Sequence, residues 1–102
     1  MRTIKDLSKL KGRVYVYLAN AEIGNRFLRQ AEAEGFTYHD GVKPTERGFS
    51  TIMAVNRDRT INFVGTNGYI AFGSGTKKVS AEQLIRIDGE KYLSGADDYL
   101  YN

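Results

Sequence analysis

The sequence predicts an α+β domain. Its expected core is one mixed, mainly antiparallel sheet of about five strands, with one main helix packed on one face and a short C-terminal helix or turn. Three observations predict it. Arg13 to Gly41 reads as strand, helix and strand. Phe49 to Phe72 reads as an antiparallel meander with short turns. Residues 79–102 open on a helix-capping signal and end in an acidic, aromatic tail. The expected order is β-α-β-β-β-β within a single domain spanning residues 1–102, preceded by a lead-in over residues 1–12.

The lead-in carries Thr3 and, three residues later, Asp6, which is the pattern of a capping box opening one or two helical turns. Leu7 and Leu10 share a face, and Gly12 can end the turn. From Arg13 to Ala19, Val14, Val16 and Leu18 alternate with Tyr15, Tyr17 and Ala19. Apolar or aromatic residues on both faces favour a central strand. Asn20 is a good N-cap for a helix from Ala21 to about Glu34. Ile23, Gly24, Phe27, Leu28 and Ala31 fall on one arc of that helix, and Arg26 and Arg29 point outward. Gly35 stops it, and Phe36 to His39 is the expected return strand, parallel to the first.

Gly41 to Gly48 reads as a loop. Strands are expected from Phe49 to Asn56, from Arg59 or Thr60 to Val64, and from Tyr69 to Phe72. The turns between them fall at Arg57-Asp58 and at Gly65 to Gly68. Gly73 to Lys78 reads as a flexible loop. Ser80 with Gln83 forms a second capping box, which predicts a short helix near Ala81 to Ile85. Tyr92, Leu93, Tyr99, Leu100 and Tyr101 are too apolar for a wholly disordered tail, so part of it is expected to dock.

Composition narrows the chemistry. The chain of 102 residues has no cysteine, which removes disulfides, thiol catalysis and cysteine-based zinc sites. His39 is the only histidine, and on a strand it points away from the adjacent Asp40. Asp97 and Asp98 are neighbours on a tail that does not set them across a substrate. The Gly-rich segments GTNG and GSGTKK lack the Gly-Lys-Ser/Thr step of a phosphate loop. No catalytic set, cofactor motif or metal-ligand spacing is expected. No apolar run reaches the ~18 residues of a membrane span, and the basic N-terminus lacks the apolar core of a secretory signal. A protein of the cytoplasm is the expectation.

Net charge is +3, unevenly spread. Basic residues dominate 1–20 and 43–78, and acids dominate 21–42 and 79–102. The sharpest constellation is aromatic and basic. Tyr15 and Tyr17 share the strand face turned away from the helix, where Tyr38, Phe49, Phe63, Tyr69 or Phe72 could join them. Arg57 and Arg59 at a hairpin tip, with Lys43, Arg47 and Lys77, could supply phosphate contacts, and Lys78 joins Lys77 beside the GSGTKK segment. The candidate binding residues are therefore Tyr15, Tyr17, Arg26, Arg29, Arg57, Arg59, Lys77 and Lys78. An open aromatic face of that size needs a cover, from the acidic tail, a homodimer or a higher oligomer, unless it receives a ligand.

The motif order resembles that of a group of short proteins encoded by phages and prophages. Their opening Val/aromatic strand corresponds to Val14 to Leu18, and their helix with a Phe-Leu pair and a late Ala to Phe27-Leu28 and Ala31. Their return strand corresponds to Gly35-Phe36-Thr37-Tyr38, with Tyr38 where many members carry Trp. Their hairpin, ending in an aromatic-Gly step, corresponds to Ile61, Phe63 and Phe72-Gly73. The likeness covers Val14 to Leu84 and brings no catalytic residues. It implies a small non-enzymatic protein of a phage or mobile element, acting in the bacterial cytoplasm against host defence. Such proteins bind an immune effector, as anti-CRISPR inhibitors do, or sequester cyclic-nucleotide immune signals as sponges. The second alternative extends to binding nucleotides or nucleic acid.

Overall fold

Alternation of Val14 and Val16 with Tyr15 places the strand β1 (Arg13–Tyr17) at the centre of the sheet, buried on both faces. The computed structural model describes residues 2–101. On one side β1 pairs antiparallel with β2 (Ile52–Val55), which pairs antiparallel with β3 (Ile61–Phe63). On the other it pairs parallel with β5 (Glu82–Asp88), whose outer edge carries the two-residue β4 (Lys78–Val79). The five-stranded order is β3-β2-β1-β5-β4, with one parallel pairing. The fold is α+β on one mixed, mainly antiparallel sheet, as the alternation predicts.

The first face carries the larger core. Helix α1 (Ile4–Ser8) is capped by Thr3, whose hydroxyl accepts from the Asp6 amide at 3.1 Å. Helix α2 (Ala21–Ala33) is capped by Asn20, whose side-chain oxygen accepts from the Ile23 amide at 3.0 Å. Ile23, Phe27, Leu28 and Ala31 of α2 share a core with Val14, Val16, Leu18, Met53, Val55 and Ile87. The Glu34 carboxylate joins α2 to α1 by accepting from the Ile4 and Lys5 amides at 2.9 and 2.7 Å. A second acid of the same stretch, Glu32, caps α3 (Pro44–Arg47) by accepting from the Thr45 amide and hydroxyl at 3.1 and 2.7 Å. Helix α5 (Gly89–Ser94) completes this layer, capped by Asp88.

Four expectations are corrected. Phe36 to His39 forms no strand beside β1, because β2 and β5 occupy both edges of that strand. Only Thr37 bridges, parallel, to Thr60. The loop from Gly41 to Gly48 contains α3, with Pro44 in the first turn, where a missing N–H costs nothing. Gly65 to Phe72 is not a turn and strand: Gly65 is the N-cap of the helix α4 (Thr66–Ser74), which takes in the rest. Ala81 to Ile85 is not helical. Ser80 and Ala81 take φ of 52° and 67° and make the β4–β5 hairpin turn, so the Ser80–Gln83 pair caps nothing. The element order is accordingly richer than the β-α-β-β-β-β expected, with five helices among the described residues.

The tail docks. Tyr92 of α5 is buried and donates its hydroxyl to the Thr3 carbonyl at 2.5 Å, and the Arg2 guanidinium lies 4.5 Å from the Tyr99 ring centre. Burial, followed by the negative charge of Asp6, pushes the Tyr92 phenol up to about 12. An unfolded tyrosine ionises near ~10. Its contribution to stability is therefore complete below pH ~10 and lost as pH rises through about 12. Chemical denaturation from pH 9 to 12.5 should show a fall in stability over that window that is shallower in Tyr92→Phe. Equal slopes would assign the fall to other groups.

Candidate functional site

The second face of the sheet is covered, and its cover is the candidate site. Tyr15, Ile52, Ala54 and Leu84 form a smaller core with Val64 and with Phe72 of α4. Gly68 lets the helix approach, since a Cβ there would stand 3.4 Å from the Tyr15 ring and collide with Val64. Tyr101 of the tail packs against both Tyr17 and Phe72, with ring centres 5.3 and 4.8 Å away. Backbone bonds from Tyr101 N–H to the Arg86 carbonyl and from Asp88 N–H to the Tyr99 carbonyl hold the tail on β5. The aromatic face is thus closed by a helix and the tail of the same chain.

Arg86 fastens this cover. Its Nη1 donates to the Phe72 carbonyl at 2.8 Å, and its guanidinium lies 5.6 and 5.7 Å from the Phe72 and Tyr101 ring centres. The Phe72 carbonyl belongs to the last turn of α4, where carbonyls lack helical partners and the helix dipole favours a cation. Two more arginines do the same elsewhere. Arg26 Nη2 donates to the Leu93 carbonyl in the last turn of α5 at 2.8 Å. Arg59 Nη1 donates to the Glu34 carbonyl at the end of α2 at 3.3 Å.

The sequence-expected residues are therefore not brought together as one patch. Tyr15 is 7% exposed, and Tyr17 is half-buried under Phe72 and Tyr101. Arg26 and Arg59 serve helix ends. Arg29 is exposed on α2. Arg57 lies 3.7 Å from Glu82, which also takes Arg13 Nε at 2.8 Å. Lys77 and Lys78 are exposed at β4, and pairing with Gln83 turns Lys78 to the face opposite Glu82, which Arg57 meets. Arg86 was not among the expected residues. The signal that could have found it is the alternation of Leu84, Arg86 and Asp88 with Ile85 and Ile87, which reads as strand.

Outward from this layer, α4 presents no charge. Its sequence TNGYIAFGS contains no ionisable group except the Tyr69 phenol, whose oxygen accepts from the Ile52 amide at 3.3 Å. Ile70 is 62% exposed, and Tyr69 is 37% exposed beside it. An outward Ile70 beside Tyr69 on an uncharged helix makes a small apolar surface suited to a partner.

Two open clefts flank the sheet. One, of about 570 Å³, lies at the end of β1 and β2 and is lined by Arg13, His39, Asn56, Arg57, Asp58 and Glu82 among others. Its arginines already meet Glu82, and Asp58 is held below the ordinary carboxylate range by the Thr60 hydroxyl, which donates at 2.5 Å. The other, of about 470 Å³, shares His39 and Asn62 with the first and adds Tyr38, Asp40, Arg47 and the half-exposed Phe63. There the hydrogen bond from Arg47 depresses the Asp40 pKa, at an Nη2–Oδ2 distance of 2.5 Å. No group of three His, Asp or Glu side chains placed to hold a metal ion occurs among the described residues. No helix there is long and apolar enough to cross a membrane.

No protein-family model, curated protein or solved structure matches the chain.

Proposed function

We propose that the chain is a non-enzymatic binding protein whose outward α4 face occupies a surface on another protein. In the setting the phage-like motif order implies, that protein is a host immune effector in the bacterial cytoplasm, and the chain inhibits it in the manner of an anti-CRISPR protein. The observation that carries the reading is the exposure of Ile70 on an uncharged helix whose last turn is hydrogen-bonded to Arg86 of the sheet. Interface centres favour such apolar and aromatic side chains, depleted of charge.

Ile70→Glu tests it, because this side chain lies mostly in water and its replacement should cost less than about 0.5 kcal/mol of stability. The tagged wild-type chain should retain a defined effector from a lysate of a phage-sensitive host carrying its defence system, and should restore plaque formation when expressed there. Ile70→Glu should fold normally and lose both. Equal retention and equal plaque counts would refute the assignment to α4.

A second reading, nucleotide or nucleic-acid binding, is favoured by one observation. Phe63 is 46% exposed beside Arg47, His39 and Asn62, where a planar base could stack. It includes a sponge for cyclic-nucleotide signals. Cyclic di- and trinucleotides should then raise the melting temperature of the wild type but not of Phe63→Ala. Burial of Tyr15 and the engagement of Arg26, Arg57 and Arg59 within the chain weigh against it.

A further inference from the structure

We propose that a third cleft, on the outer edge of β5, binds a small apolar carboxylate, at a site separate from the α4 surface. The edge of β5 is covered in two pieces, both antiparallel to it. β4 pairs with Glu82 and Gln83, and the Leu84 amide donates to the Lys77 carbonyl at 2.8 Å. From the other end, Leu100 bridges to Ile87, and the Tyr101 amide donates to the Arg86 carbonyl at 2.9 Å. Ile85 is left between the two covers, and there a cleft of about 400 Å³ opens. Its walls include Leu10, Ile85, Tyr99, Leu100, Tyr101 and Arg86. Leu10 is brought to it by the close approach of Gly12 to β5, where a Cβ would stand 2.4 Å from the Gln83 carbonyl oxygen. Leu100 is 57% exposed there. Apolar walls with a few placed polar groups are the make-up of a small-ligand site.

The charge around this cleft has one sign. The two clefts described above carry Asp58 and Glu82, or Asp40, in their walls, whereas no carboxylate lines this one. Arg86 spends one N–H on the Phe72 carbonyl, and the other donors of its planar fork match a carboxylate. Lys9 and Lys11 flank Leu10 in the chain and are exposed, and pairing with Gln83 turns Lys78 to the Ile85 face of the sheet. None of these three lysines stands in an ion pair among the described residues. An extended peptide fits less well. Strand addition needs a run of free edge backbone, and here β4 and the tail leave only Ile85 between them. Nucleic acid fits less well too, because its affinity comes chiefly from cations on phosphates and these walls are mostly apolar.

The test uses the full chain, isotope-labelled, and titrates it with hydrocinnamate, its amide, phenylpropylamine, an extended glutamate-leucine peptide and phosphatidylglycerol vesicles. Hydrocinnamate should shift the amide signals of Leu10, Ile85 and Leu100 and saturate. Its amide and the amine should bind at least about tenfold more weakly, the effect of losing one hydrogen-bonded charge. Leu100→Glu, at an exposed position, should abolish the shifts with the melting temperature unchanged. Arg86→Lys, which keeps the cation, should retain more affinity than Arg86→Gln. Ile70→Glu should leave the titration as in the wild type, so the proposal stands or falls apart from the α4 reading. No saturable shift, equal binding of the acid and the amine, binding unaltered by Leu100→Glu, or tighter binding of the peptide or the vesicles would overturn it.

Discussion

Phe27→Ala is expected to cost about 3–5 kcal/mol, the range for emptying an aromatic site in a packed core. A domain of this size is stable by roughly 5–15 kcal/mol in total, so the variant should be marginal at 37 °C. Phe27 is fully buried, and it shares its core with Val14 and Val16 of β1, Met53 and Val55 of β2 and Ile87 of β5. It therefore contacts the layer from which every other element is hung. Phe72, on the opposite face, is also buried, but its layer is one short helix with Val64, Val79 and Tyr101 of the tail. Phe72→Ala should cost less, because α4 can settle inward or detach without opening the main core. Denaturant titration of both variants checks the contrast. Phe27→Ala should move the midpoint further at unchanged slope, and equal midpoints would mean that the two faces unfold as one packed unit.

That asymmetry explains which parts of the fold the sequence displays. The main core is written in patterns that local physics alone produces. Val14, Val16 and Leu18 alternate with Tyr15 and Tyr17, Asn20 supplies a cap, and Ile23, Phe27, Leu28 and Ala31 recur at helical spacing. Each survives in the structure. The second layer is not written so. Helix α4 carries Asn67-Gly68, ordinarily a turn signal, and consecutive Tyr69-Ile70-Ala71-Phe72, which suits a strand as well. Its helical state follows from where Gly68, Ala71 and Phe72 can pack, over Tyr15 and Tyr17, and that depends on a sheet assembled from distant segments. Ser80 and Ala81 are similarly opaque. Two residues other than glycine at positive φ are held there by β4–β5 pairing, against their own preference. The candidate site lies in this second layer. The expectation that something must close the Tyr15/Tyr17 face was legible. That the closing element is a helix, with its own exposed Ile70, was not.

Arg86→Ala should separate the docking of α4 from the stability of the rest, and at about 2–3 kcal/mol it is the second-largest effect expected. Three contributions are lost together. The guanidinium leaves the Phe72 carbonyl, which stands in the last turn of α4 with no helical donor. The helix end loses its cation. The Phe72 and Tyr101 rings lose the planar group that lies near both of them. Arg86→Lys should recover only part, since an ammonium donates to the carbonyl but lacks the planar group that lies near both rings. The decisive measurement is amide exchange by segment. Protection in α4 and at Tyr101 should fall far more than protection in α2, because the Arg86 guanidinium meets Phe72 and Tyr101, both of the second layer. Uniform loss across α2 and α4 would show that Arg86 supports the whole domain and not the docking of one helix. The functional consequence follows from the same geometry. A partner that recognises Ile70 and Tyr69 on a fixed helix must bear the ordering cost once that helix is loose. Arg86→Ala should therefore weaken partner capture although Arg86 lies beneath the contacting face, and Arg26→Ala, which frees the end of α5 instead, should leave capture unchanged.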